Sequence, residues 1–123
     1  MSNNERLFTR EHEWIEMDEA GSATMGITHY AQNSLGDIIF LELPDVGREL
    51  TEGEAFGVVE SVKSVSDLYA PCSGVVEKIN DDAVNSPEII NSDAEGQFLV
   101  KVKKAILNRE ILMTKSEYED FCK

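Results

Sequence analysis

Cysteine is nearly absent: Cys72 and Cys122 are the only two in 123 residues, far apart and without Cys-x-x-Cys spacing. That excludes a dithiol redox motif and a zinc knuckle and leaves two reduced, incidental thiols as the expectation. Long apolar runs are missing too, with no window near the ~20 residues of a membrane span. The polar start Met1-Ser2-Asn3-Asn4-Glu5 has no apolar stretch of the signal-peptide kind, so a cytoplasmic location and no membrane association are expected. Positive charge is scarce: 11 basic against 24 acidic residues give a net charge of −13. Nucleic acids and anionic membrane surfaces are bound through Lys and Arg, so neither is an expected partner and basic protein surfaces are favoured. The same acidity also keeps a protein dispersed, and charge alone does not separate the two roles.

Enzyme signatures are lacking as well. There is no Gly-x-Ser-x-Gly elbow, no phosphate-cradling Gly-rich loop and no His-Glu-x-x-His, and His12 and His29 stand alone. Cys72 has no neighbouring His to activate it as a thiolate. No catalytic residue and no metal-ligand set is therefore expected; each His reads as a surface or cap residue.

What is present reads as one domain over residues 1–123. A chain of this length buries roughly two-thirds of its unfolded surface, and 41% apolar with 28% charged residues is ordinary for a globular protein. Ala23, Met25 and Ile27 alternate with Thr24 and Thr28, and Phe98, Val100 and Val102 with Lys101 and Lys103, the period of half-buried strands. Residues 38–43, 56–62 and 75–79 are further short strand-like runs. They are separated by turn clusters such as Pro44-Asp45-Val46-Gly47, Pro71-Cys72-Ser73-Gly74 and Ala94-Glu95-Gly96. The expectation is a sandwich or barrel. A short helix is predicted near residues 28–35, capped by Thr28 and closed by a left-handed Gly36. A C-terminal helix is predicted from the capping-box pattern Ser116-Glu117-Tyr118-Glu119, with Tyr118, Phe121 and Cys122 on its docking face.

Two apolar segments flank Ser61 to Ser66, which puts Lys63 near the tip of a hairpin with its amine in solvent. Most such lysines are merely solvated. Here the surrounding residues say more. Val59-Glu60-Ser61-Val62-Lys63, then Ser66-Asp67, Tyr69-Ala70-Pro71 and Ser73-Gly74, resemble the lipoyl-attachment signature of glycine cleavage H proteins. His12-Glu13-Trp14, Gly26-Ile27-Thr28, Ala31-Gln32, Leu35-Gly36-Asp37, Glu42-Leu43-Pro44, Pro87-Glu88 and Ile90-Asn91 resemble further blocks of that family, so the likeness spans nearly the whole chain. Biotin carriers usually flank the lysine with methionines, where this chain has Val62 and Ser64. The lipoyl domains of 2-oxo acid dehydrogenases tend to place an acid directly before it, and they lack the His-Glu-Trp block.

The resemblance implies a mainly β fold, a barrel-sandwich hybrid of two antiparallel sheets of the biotinyl/lipoyl-carrier type. It implies lipoate in amide linkage to Lys63, with Glu60, Ser61, Val62 and Ser64 forming the attachment hairpin, and Glu13 and Asp67 holding the amine of the arm's cargo. The implied role is that of a non-catalytic, monomeric carrier shuttling the aminomethyl group of glycine. Its partners would be the pyridoxal-phosphate glycine decarboxylase, the tetrahydrofolate-dependent aminomethyltransferase, dihydrolipoyl dehydrogenase, and a lipoyl ligase or octanoyltransferase. The setting would be the cytoplasm, or the mitochondrial matrix for a mature eukaryotic form. The alternative is an H-like relay protein that donates lipoyl or octanoyl groups to other lipoyl domains. Phe98 stands where the family usually has Trp, and His29 where it commonly has Asp. Lys103 to Asn108 replaces a Pro-containing approach to the last helix.

Overall fold

The computed structural model describes residues 5–123. Two antiparallel sheets face each other. The larger is formed by β1 (Arg6–Phe8), β2 (Glu13–Met17), β3 (Ala23–Ile27), β9 (Val100–Ile106), β8 (Ser73–Ile79) and β5 (Glu49–Leu50), in that spatial order. The smaller is β4 (Ile38–Glu42), β6 (Ala55–Ser61) and β7 (Val65–Tyr69). Neither closes into a barrel, and the architecture is the expected barrel-sandwich hybrid. Inward residues of both sheets, among them Ile15, Met25, Val59, Leu68, Val76 and Val102, form one core, as period-two strands must when one face is covered. No helix among the described residues is long and apolar enough to cross a membrane.

The expected alternation holds at Ala23, Met25 and Ile27, all buried, but Thr28 is buried beside them instead of facing out. The reason is its second task. Thr28 caps α1 (His29–Leu35), its hydroxyl accepting the Ala31 N–H at 3.1 Å. Gly36 ends the helix at φ 83°, ψ −153°. The φ is positive as expected, but ψ lies outside the left-handed helical well, in a region that a Cβ makes nearly inaccessible. The alternation expected from Phe98 fails at its start: Leu99 and Val100 are both buried, and β9 begins only at Val100. Ser73 and Gly74, read as turn residues, belong to β8. Two short helices, α2 (Asp81–Asn85) and α3 (Glu88–Ser92), fill the long connection from β8 to β9.

The terminal helix, α4 (Lys115–Phe121), is capped two residues earlier than predicted. The capping box is Thr114 with Glu117, not Ser116 with Glu119. The two sequences share one spacing, and tertiary structure chooses between them. Met113 pairs with Phe8 through two backbone hydrogen bonds of 2.8 Å, which ends the extended chain just before Thr114. Tyr118 docks as expected, in a second apolar cluster with Phe8 and Trp14 on the face of β1 and β2 opposite the main core. Phe121 stays 44% exposed.

β4 is the strand against which β6 runs, in the register Glu42↔Val58 and Phe40↔Glu60. At Gly57 an added Cβ would press directly on the backbone carbonyl of Glu42, which yields only by parting the two strands. Gly57→Ala is therefore expected to destabilise the fold by about 1–3 kcal/mol, the usual cost of forced overpacking. Urea unfolding checks this; an unchanged midpoint would refute the close approach.

Candidate functional site

β6 and β7 form the hairpin that the sequence placed around Lys63. Val62, Lys63 and Ser64 make its tip, and all three are exposed. The tip is held by Ser61, whose N–H donates to the Ser64 carbonyl at 2.8 Å. Its hydroxyl oxygen accepts the N–H groups of Ser64 at 3.1 Å and Lys63 at 3.3 Å. A short polar side chain of this kind replaces backbone partners that a tight turn leaves free. The Val62 N–H donates to the Asp37 carbonyl at 3.1 Å, tying the tip to the start of β4. The Lys63 stem then passes beside the end of α1: a Cβ built on Gly36 would stand 3.5 Å from Lys63 Cε.

Gly36 follows Leu35, and Leu35 borders a cleft of about 170 Å³. Its walls are apolar, from Ile27, Ala31, Leu35, Val59 and Leu68, and its polar rim is Glu11, His12, Glu13, Ser34, Ser66 and Asp67. The two acids singled out in the sequence thus share one cleft, although they come from opposite sheets. Asp67 is exposed and sits mid-strand on β7 opposite Val58, so it is not a turn cap. Glu60 lies on β6 before the tip, half-buried, and does not border the cleft.

Glu13 is no solvated surface acid. Only 4% of it is exposed, and its two carboxylate oxygens accept from the Tyr69 N–H at 2.9 Å and the Thr9 hydroxyl at 3.1 Å. Burial pushes its carboxyl up to about 8; those two hydrogen bonds pull the other way, and the charge of Glu11 pushes further up. Glu13 also borders a wider groove of about 630 Å³ with Thr9, Arg10, Tyr69, Pro71 and Glu110. That groove is larger, but no residue of the hairpin tip or of α1 lines it.

His12, read from the sequence as a surface or cap residue, borders the cleft beside Glu13. His29 does match that reading, exposed at the first position of α1. Cys72 is fully buried, and burial pushes its thiol up to about 12, which keeps it inert.

A cleft with apolar walls and one buried carboxyl suits an apolar chain that ends in an amine. The Lys63 stem passes beside Gly36, the residue that follows Leu35 of the cleft wall. Among known proteins, the sequence model for "Glycine cleavage H-protein" matches residues 6–123. The glycine cleavage system H protein of Acidobacterium capsulatum is 51% identical over 117 residues, covering 94% of this chain and 90% of that protein. That of Herpetosiphon aurantiacus is 46% identical, covering 98% and 95%. The crystal structure of a glycine cleavage system H protein from Mycobacterium marinum superposes with a TM-score of 0.88 at 38% identity, covering 98% of each chain.

Proposed function

The chain belongs to the glycine cleavage H-protein family, and on that footing we propose that it is a lipoyl carrier, with the group joined by an amide to Nζ of Lys63. When bound, the lipoyl group supplies a dithiolane that takes up and gives back the aminomethyl group of glycine. The chemistry of making and consuming that cargo belongs to partner enzymes and their cofactors. The chain itself presents, shelters and releases. In this reading residues 1–123 are one carrier domain, a monomer that works in the cytoplasm with its partners. These are the glycine decarboxylase, the aminomethyltransferase, dihydrolipoyl dehydrogenase and the lipoyl ligase or octanoyltransferase.

The observation that carries the proposal is the placement of Lys63, exposed at a hairpin tip beside Gly36, next to a cleft that Leu35 and the buried carboxyl of Glu13 both line. Ser61 holds the tip rigid, so the modifying enzyme meets a fixed loop and not a floppy one. The apolar walls exclude water from the arm's end, and in a low-dielectric cleft a carboxylate attracts an ammonium far more than it does in water. Glu13 is placed to hold that ammonium from the side of β2, and Asp67 from the side of β7. Both contacts favour the loaded over the unloaded arm, because only the loaded arm carries the positive charge.

Intact-mass analysis tests the proposal in two steps. Incubation with lipoic acid, ATP and a lipoyl ligase is expected to add one lipoyl mass. Glycine together with a glycine decarboxylase is then expected to add a second, glycine-dependent increment. Transfer of the acyl group to another apo-carrier, without that increment, would favour the lipoyl-relay role instead.

A further inference from the structure

His12 has a φ of +67°, one of two non-glycine residues in the left-handed region among those described. That conformation costs about 1–2 kcal/mol and persists where its surroundings impose it. Here both flanking groups are fixed: the His12 N–H donates to the Thr9 carbonyl at 3.1 Å, and its carbonyl accepts the Thr28 N–H at 3.1 Å. In an extended strand, neighbouring side chains point to opposite faces. The turn at His12 lets it and Glu13 border the same cleft.

The imidazole is held from outside that cleft. Its Nδ1 lies 2.7 Å from the Tyr118 hydroxyl, and its ring stacks on Tyr30 with centroids 4.3 Å apart. The same Tyr118 hydroxyl lies 2.8 Å from Oγ1 of Thr28, the cap of α1, whose Ala31, Ser34 and Leu35 form one cleft wall. Tyr118 does not border the cleft, yet one hydroxyl ties together two of its sides. Tyr118 is fixed in turn by α4, with its ring stacked on Phe8 at a centroid distance of 4.7 Å.

We propose that Tyr118 is a positioning residue for the cleft and His12 the cleft residue it positions, giving the aminomethyl cargo a second hydrogen-bond partner beside Glu13. The inference rests on the carrier reading. With the Tyr118 hydroxyl donating to Thr28 Oγ1, Nδ1–H of His12 donates to the tyrosine oxygen. Nε2 is then left as an acceptor for an N–H of the cargo's ammonium. Burial holds the imidazole below its usual pKa, so it stays neutral and accepts, although the charge of Glu11 works in the opposite direction. The other titratable groups bordering the cleft, Glu13 and Asp67, are acids and do not repel the cation.

Tyr118→Phe keeps the ring on Phe8 and removes only the hydroxyl. His12→Asn removes the imidazole while tolerating the left-handed backbone. Imidazole nitrogen NMR on the unmodified protein is expected to show the His12 resonances moved in Tyr118→Phe and those of His29 unmoved. Lipoylated protein, reduced to its dithiol, is then loaded with formaldehyde and ammonia. Thiol, aldehyde and amine condense with loss of one water. Ammonia release is followed without any partner enzyme. Each variant is expected to release ammonia about fivefold faster than wild type, equivalent to ~1 kcal/mol, the net worth of one hydrogen bond. The double variant is expected to be no faster than His12→Asn, because Tyr118 acts through His12. Unmoved His12 resonances in Tyr118→Phe, a wild-type release rate, or a Tyr118 effect that persists in full beside the His12→Asn change would each overturn the inference and leave carriage standing. Failure of Lys63 to take a lipoyl group would instead overturn the carrier reading and this inference with it.

Discussion

Lys63→Arg is expected to fold as wild type does and to gain no lipoyl mass at all. Amide formation needs a nitrogen that can shed a proton and attack an activated acyl group. A lysine amine does this with an enzyme's help, whereas a guanidinium stays protonated and delocalised at any working pH. The change removes the nucleophile and keeps the positive charge, so electrostatic docking of the modifying enzyme is preserved. The fold has little at stake. Ser61 holds the tip through backbone N–H groups of residues 63 and 64, which arginine supplies equally well. The lysine stem is exposed beside Gly36, and exposed substitutions usually stay within about 0.5 kcal/mol. Intact mass after incubation with lipoyl ligase or octanoyltransferase, alongside a urea melt, gives both readings. A lipoyl increment on the folded Lys63→Arg variant would put the attachment elsewhere and end the assignment of Lys63.

The hairpin around Lys63 was legible because its signals are local. Two apolar runs around a polar Ser61-to-Ser66 stretch leave few alternatives to a hairpin, and Thr28 before α1 is a cap by its chemistry alone. What the sequence could not give depends on contacts between distant segments. Ser116-x-x-Glu119 and Thr114-x-x-Glu117 are equal as patterns, and only the pairing of Met113 with Phe8 selects the second. β1 and β5, three and two residues long, exist because a neighbouring strand is there to pair with them. Glu13 was assigned to the cleft by resemblance, but its burial and its bond to the Tyr69 amide, 56 positions away, follow from how the two sheets face each other. His12 was missed for a related reason. A histidine at positive φ leaves only a weak mark in sequence, the mild preference of Asn, Asp and His for that region, and its partner Tyr118 is 106 positions distant.

Glu13→Gln is expected to make the protein more stable at alkaline pH and a poorer carrier. The wild-type carboxyl titrates near 4.5 when unfolded and at about 8 when folded. Between those values the folded state holds a proton that the unfolded chain has released. Stability therefore falls as pH rises through that window and levels off above about 8. The slope approaches about 1.4 kcal/mol per pH unit at most, so the loss across the window is of the order of a few kcal/mol. Glutamine mimics the neutral carboxyl, its oxygen accepting the Tyr69 N–H and its amide donating to Thr9, and it has no proton to lose. Urea unfolding at pH 5 is expected to separate the two proteins little, and at pH 8.5 to favour the variant by roughly 2 kcal/mol or more. Wild-type stability that stays flat from pH 5 to 8.5 would show that this carboxyl is not the strained group the cleft implies. The same change removes the buried carboxyl that, once ionised, the cleft turns toward an ammonium in the carrier reading. A cation beside Glu13 draws its pKa down, so cargo and proton compete for one site, and arrival of the ammonium expels the proton that stabilised the empty cleft. Glutamine cannot make that exchange. The loaded variant is expected to lose its aminomethyl group about tenfold faster, the equivalent of one charge-assisted hydrogen bond at ~1.5 kcal/mol. An equal rate of ammonia release from the two loaded proteins would remove Glu13 from the cargo's contacts. In the carrier reading, the wild-type cleft gives up stability above neutral pH in return for an acid that is neutral near pH 7 when the cleft is empty and takes on its charge there when the cargo's cation arrives.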